Sequence, residues 1–190
     1  QYFKDQEVPF YHKMRHEGVL RNLVVRQSYA TGEFLINLVT TTQWGKYGFA
    51  ETEVLKGYVE GLVKLAASPD FDATIAGILY TENDSLGDVV SCDRIECLYG
   101  KDYIIEEVMG LKFKVSPFSF FQTNTKGCEV LYEKAREYIM SMESMREDES
   151  GQKTANVQAG DALAQSEGKV VFDLYSGTGT KPSLVRMCIS

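Results

Sequence analysis

The sequence predicts a mixed α/β fold in two parts: a central α/β unit of mainly antiparallel strands over residues 1–115, and a second part over 116–190 that begins a new helix and strand. Three observations predict it. Short β-rich runs separated by glycine turns fill most of the first part. One amphipathic helical stretch stands among them. An acidic stretch poor in large apolar residues then separates a second helical pattern from a fresh apolar strand at Val170.

The elements follow in order. "VLRNLVVRQ" and "EFLINLVTT" are β-rich, and the "SYATG" between them reads as a hairpin turn with Gly32 at its tip. "TEVLKGYVEGLVKLAAS" places Leu55, Val59, Leu62 and Ala66 on one helical face, with Thr52 as the expected N-cap and Ser68-Pro69 ending it. "TIAGILYT" is a further strand, and "DVVSCDRIECLYG", "DYIIEEV" and "LKFKVS" add shorter ones around Gly100 and Gly110. From Lys126 to Met145 the pattern is helical again, with Leu131, Ala135, Tyr138 and Met142 as its expected apolar face. Residues 143–168 carry six acids and two bases with few large apolar side chains, and are expected to be a flexible linker or surface insertion.

Composition bounds the function. At 190 residues and 44% hydrophobic content, the chain can bury one good core or two small ones. No run of apolar residues approaches the roughly 18–20 needed to span a bilayer, and the start "QYFKDQEVPF" has no signal-peptide apolar region, so a cytoplasmic location and no membrane partner are expected. Cys92, Cys97, Cys128 and Cys188 form no CxxC pair; with two histidines in the chain, no metal site is expected and the cysteines read as reduced thiols. The chain starts with Gln and ends just after a glycine motif, which suggests a piece of a longer protein. Its net charge of −7 hides a local reversal: residues 11–26, "YHKMRHEGVLRNLVVR", hold Lys13, Arg15, Arg21 and Arg26 against Glu17, together with His12 and His16. Such a patch can neutralise a few phosphates, or be a solvated strand edge.

Three stretches could carry chemistry. In "VVFDLYSGTGT" a strand leads to Asp173, Gly177 and Gly179. A dinucleotide fingerprint would want a third glycine where Pro182 stands, and "GTGTK" only imitates a P-loop. A single Gly-x-Gly four residues after an acid suits S-adenosylmethionine, which has no diphosphate; an ordinary strand-to-helix turn is the alternative. In "KVSPFSFFQTNTKG", Phe118, Phe120 and Phe121 stand beside the amide of Gln122 in a segment that Pro117 biases away from helix. Aromatic faces can stack on an unpaired base, and they can equally form a core cluster. Cys128 opens the second helix with no histidine beside it, and reads as a packed or surface thiol without a catalytic role.

"GVLRNLVVR", "ATGEFLINLVT", "SPFSFFQTN", a helix and "VFDLYSGTGT" resemble, in sequence and order, the RNA (uracil-5-)-methyltransferase family, which acts on uridines of ribosomal or transfer RNA; the resemblance covers about Gly18 to Thr180. It implies that residues 116–190 are the first elements of a Rossmann-like, S-adenosylmethionine-dependent domain. It also implies that Gln122 and Tyr175 contact that cofactor, that the Phe120–Phe121 stretch lies near the target uridine, and that Arg21 contacts RNA. Asn22 stands where the family often has histidine. The family's cysteine nucleophile, which adds to carbon 6 of uracil, and its carboxylate base lie downstream of the DLY-type motif, so no catalytic residue is matched within these residues. "KPSLVRMCIS" departs from the apolar helix start expected after "GTGT". The expected function is methylation of carbon 5 of a uridine in RNA, ribosomal RNA ahead of transfer RNA, by the parent enzyme, the fragment itself being inactive. A non-catalytic RNA-binding module, or a methyltransferase for another substrate, are the alternatives.

Overall fold

The computed structural model describes residues 1–87 and 93–149. It forms two compact units, one of Gln1–Glu106 with Lys114–Phe118, the other of Glu107–Phe113 with the residues from Ser119 on.

The first unit is a four-stranded sheet with a helix on one face. Strands β1 (Leu20–Gln27), β2 (Glu33–Thr40), β3 (Thr74–Glu82) and β4 (Arg94–Gly100) lie in that order across the sheet. β1 pairs with β2 and β3 with β4 in antiparallel sense, while β2 and β3 are parallel. Connection length explains the mixture. The five-residue "SYATG" turn can only reverse the chain, whereas β2 reaches β3 through helix α2 (Glu51–Ala66), the kind of long crossover a parallel pair requires. The sheet is therefore mainly antiparallel, as expected, with one βαβ crossover at its centre.

Burial separates central from edge strands. β2 is buried from Leu35 to Thr40 and β3 from Ile75 to Thr81, which is why both read as nearly continuous apolar runs. β1 and β4 are edges, and the exposed Asn22, Gln27, Arg94 and Glu96 suit them to that place. Helix α2 covers one face with Val54, Leu55 and Tyr58 buried against Ile36, Leu38, Ile78 and Tyr80, while Val59, Leu62 and Ala66 pack beside them, so the expected apolar face is the one used. Its start differs from expectation. Ala50, extended at ψ 100°, is the N-cap, and Thr52 lies inside the first turn. Glu51 and Glu53 supply the negative charge that favours a helix N-terminus, so the end is held electrostatically without a capping hydroxyl. A short helix α1 (Tyr2–Asp5) and a 3-10 turn at Gln43–Tyr47 are additional; the latter carries Trp44 into the core.

Two core tyrosines give the fold a sensitivity to alkali. Burial raises both phenols to about 12, although Thr40 and Trp44, hydrogen-bonded to the Tyr80 oxygen at 3.1 Å each, partly oppose the shift there. The Tyr58 hydroxyl is buried without a hydrogen-bond partner among the described residues. A folded-state pKa above the unfolded value of 10.0 means stability that is whole below pH 10 and lost as pH climbs through about 12. We expect each tyrosine to withdraw roughly 2–3 kcal/mol over that window. Urea melts at pH 9, 10.5 and 12 check this. Tyr58→Phe should flatten the alkaline fall while changing neutral-pH stability by less than about 1 kcal/mol, because the hydroxyl removed makes no bond.

Strands β5 (Ile104–Val108) and β6 (Leu111–Val115) form a separate two-stranded sheet. Their turn places Met109 and Gly110 at φ 51° and 79°, the doubly left-handed geometry that matches strand twist in a two-residue hairpin. In the second unit, helix α3 runs from Thr125 to Glu149, further than the expected end at Met145 and into the stretch expected to be a linker. The rest of that stretch, residues 150–168, lies outside the described residues, as does the strand expected at Val170–Leu174. The face of α3 also differs from expectation. Thr125, Cys128 and Tyr132 are buried, whereas Leu131 and Tyr138 are 58% and 69% exposed and Ala135 is exposed. The helix is phased by its start, where Asn124 accepts from the Gly127 amide at 2.8 Å and Glu129 reaches the Met109 amide at 3.2 Å, and this turns the Cys128–Tyr132 track inward. No helix among the described residues is long and apolar enough to cross a membrane, and none of their acidic, histidine and cysteine side chains form a group able to hold a metal.

Candidate nucleic-acid interface

The basic stretch forms a small built structure at the start of β1. Tyr11 donates its amide to the Leu20 carbonyl at 2.9 Å, and the His12 amide reaches the Glu17 carbonyl at 2.7 Å, so residues 12–17 close as a tight loop. Within it the amides of Arg15 and His16 bond back to the His12 carbonyl, and His16 sits at φ 53°. Gln43 fixes the loop from outside by donating to the His16 carbonyl at 3.0 Å. Glu17, the acid of this stretch, is paired with Lys46 at 2.8 Å; hydrogen bond and charge from that lysine hold its carboxyl below the usual range. The loop's negative charge is thus matched locally by Lys46.

Arg21 is the hinge of the arrangement. One guanidinium nitrogen donates to the carbonyls of Asn83 at 2.8 Å and Ser85 at 2.7 Å, and the other to that of Gly87 at 3.0 Å. Its carbon lies 4.4 Å from the centre of the Tyr11 ring, a cation–π distance, and the Tyr11 hydroxyl is hydrogen-bonded to His16 Nδ1 at 3.0 Å. The 83–87 turn that Arg21 clasps is organised by its own side chains. Asn83 Oδ1 accepts from the amide and hydroxyl of Ser85, and Asp84 accepts from the amide and hydroxyl of Thr42 at 3.0 and 2.7 Å. Between the loop and the strand lies a recess of about 210 Å³ lined by Tyr11, Lys13, Arg21 and Asn22. Among the described residues, two cations, an aromatic ring and an amide line it.

The other expected site residues belong to the second unit or lie outside the described residues. Phe120 is 69% exposed, and Phe121 packs at 5.8 Å between ring centres against Phe113 within the second unit. Gln122 follows, half-buried. Asp173, Tyr175, Gly177 and Gly179 lie outside the described residues. Cys128 is buried, and burial raises its thiol pKa above the usual range, which disfavours a thiolate. Cys97 is exposed. The sequence pointed to Arg21 and its basic neighbours. It gave no sign of Tyr11 as the guanidinium's platform, nor of the 83–87 turn as its partner, beyond the turn-forming "NDS" residues themselves.

No protein-family model matches the chain. It is 43% identical over 184 residues to a Clostridium tetani protein named as an uncharacterized RNA methyltransferase, covering 97% of this chain and 33% of that protein. Proteins of the same name from Caldanaerobacter subterraneus and Clostridium acetobutylicum are 45% and 42% identical over 179 and 180 residues, covering 94% and 95% of this chain and 32% of each relative. The chain therefore spans about a third of the length of the curated relatives it matches. A Pyrococcus abyssi tRNA (uracil-54, C5)-methyltransferase, solved with S-adenosyl-L-homocysteine, is similar at 23% identity and a TM-score of 0.49 over 72% of this chain and 29% of that one.

Proposed function

From the homology of this chain to RNA methyltransferases, we propose that it is the RNA-holding part, with the first cofactor-binding elements, of an S-adenosylmethionine-dependent enzyme that methylates carbon 5 of a uridine, in ribosomal RNA ahead of transfer RNA. The single observation that carries this reading is the 184-residue match to the Clostridium tetani relative, which takes in 97% of this chain. The basic recess supports it, since RNA binding starts with cations placed for phosphates.

Each part then has a task. Lys13 and Arg15 supply positive surface for the RNA backbone, with Arg21 beside them as a further RNA contact. Phe120 is an exposed aromatic of the kind that can stack on a base, with Phe121 fixed behind it on Phe113. Gln122 fits the cofactor chemically. Its half-buried amide can donate to a carboxylate and accept from an ammonium, which are the two groups of the cofactor's methionine end. Asp173, Tyr175, Gly177 and Gly179 complete the binding set. The cofactor's contribution is an activated methyl group on sulfur. Cys128 takes no part as nucleophile, because a buried thiol with a raised pKa is mostly protonated at neutral pH.

The test is a chimera in which these residues replace the matching third of the Clostridium tetani protein. With labelled S-adenosylmethionine and uridine-containing ribosomal or transfer RNA, the chimera should yield 5-methyluridine after digestion, and Gln122→Ala should weaken cofactor binding roughly tenfold or more. Label in another nucleoside overturns the carbon-5 assignment. Label in no RNA, from a chimera that folds, overturns RNA methylation.

A further inference from the structure

We infer that the recess lined by Tyr11, Lys13, Arg21 and Asn22 receives one unpaired nucleotide of single-stranded RNA, its base stacked on the Arg21 guanidinium and its edge read by Asn22. The inference rests on the RNA reading above and sharpens it. Arg21 would ordinarily be assigned to a phosphate. Here, three of its N–H groups are taken by the carbonyls of Asn83, Ser85 and Gly87, and one flat face rests on Tyr11. The part of the guanidinium left for a ligand is chiefly the opposite flat face. Flat guanidinium faces stack on nucleobases, and the Tyr11 ring beneath supports the layer.

The neighbours supply the rest of a nucleotide's chemistry. Asn22 is exposed beside Arg21 on β1, and an asparagine amide presents a donor next to an acceptor, the complement of an adenine edge. Lys13 lines the same recess and supplies a point charge for the phosphate. At about 210 Å³ the recess is smaller than the 300–1,000 Å³ clefts that enclose whole small molecules, and suits one nucleotide unit entering from a longer strand. The built loop, with Gln43, Glu17 and His16 all engaged in holding it, keeps these groups in place before the ligand arrives.

The experiment measures binding of the 190-residue chain, by fluorescence anisotropy, to uridine pentamers whose central position is adenine, uracil or abasic, across a salt series. Expected affinity falls in that order, with about a tenfold difference between adenine and abasic. Asn22→Ala should erase the adenine–uracil difference and leave the salt slope unchanged. Arg21→Lys, which keeps the charge and loses the plane, should bring all three pentamers to the abasic level. Lys13→Ala should weaken all three equally and lower the salt slope by about one. Because Arg21→Lys also loosens the 83–87 turn, the exposed Asn22 is the deciding arm. Equal affinity of the parent chain for all three pentamers, or an unchanged adenine–uracil ratio in Asn22→Ala, overturns the nucleotide recess while the RNA reading stands. Binding to none of them overturns both.

Discussion

Glu106→Ala should cost about 3 kcal/mol of stability, a large share of what a domain of this size has to lose. Glu106 is buried at 3% exposure, and its carboxylate accepts from the Tyr29 amide at 2.8 Å, the Ala30 amide at 3.0 Å and the Ser28 hydroxyl at 3.3 Å. Those three residues begin the "SYATG" turn between β1 and β2. The turn is tied to the start of β5 at two further points, Thr31 Oγ1 to the Ile105 carbonyl at 3.3 Å and the Ile105 amide to Glu33 at 3.2 Å. Removing the carboxylate strands two amide donors and the hydroxyl of Ser28, itself wholly buried, and a stranded donor costs more than its bond contributed. Glu106→Gln should recover less than half of the loss, because its NH2 group would face a donor where the second oxygen had accepted. Urea midpoints of the three proteins, at equal m-values, decide it. A loss below about 1 kcal/mol for the alanine variant would mean that water replaces the carboxylate at the turn.

This carboxylate also marks how far the sequence could be read. The hairpin, the crossover helix and every strand of the first unit were legible, because apolar periodicity and turn residues are local signals and here agree with the tertiary structure. Even the central position of β2 and β3 is visible in their unbroken apolar runs. What could not be read depends on contacts distant in sequence. Nothing local marks Glu106 as the acceptor for residues 28–30, more than seventy positions earlier, or Arg21 as the clasp of residues 83–87. Thr52 looked like a cap because hydroxyls often are, yet Ala50 ends the extended segment before it. The face of α3 was misjudged because Leu131, Ala135 and Tyr138 and the true Cys128–Tyr132 track share the same spacing, offset by one residue. Periodicity fixes a helix's stripe only to within such a shift when both tracks carry apolar bulk. The recess was half legible: its charge could be counted, while its shape comes from a loop closed by backbone hydrogen bonds.

Gly18→Ala should be among the most damaging small substitutions in the first unit, and it should remove RNA binding together with stability. Gly18 closes the 12–17 loop at φ 113°, a conformation that side-chain-bearing residues rarely adopt. A Cβ there would also press on the Phe10 carbonyl, with Phe10 C at 2.7 Å and Tyr11 Cα at 2.8 Å. All of these are backbone atoms, held in place where Val19 and Leu20 donate to the Pro9 carbonyl at 2.9 and 3.0 Å, so the neighbour cannot step aside without breaking the start of β1. The Gly18 carbonyl in turn accepts from the buried Thr41 hydroxyl at 2.7 Å, which couples the loop to the end of β2. Gly32→Ala is the matched control. It has φ 67° but nothing within 4 Å of the added carbon, and should cost only the conformational strain, about 1 kcal/mol. Gly18→Ala should cost at least about 3 kcal/mol, because strain and overlap add. Where both variants remain folded in the cold, the loop of Gly18→Ala should no longer carry Tyr11 and Lys13 to the recess, and RNA affinity should drop tenfold or more while Gly32→Ala binds as the parent does. Equal stabilities for the two would show that the Pro9–Tyr11 backbone yields. A destabilised Gly18→Ala that binds RNA at full strength would place the RNA contact somewhere other than this loop.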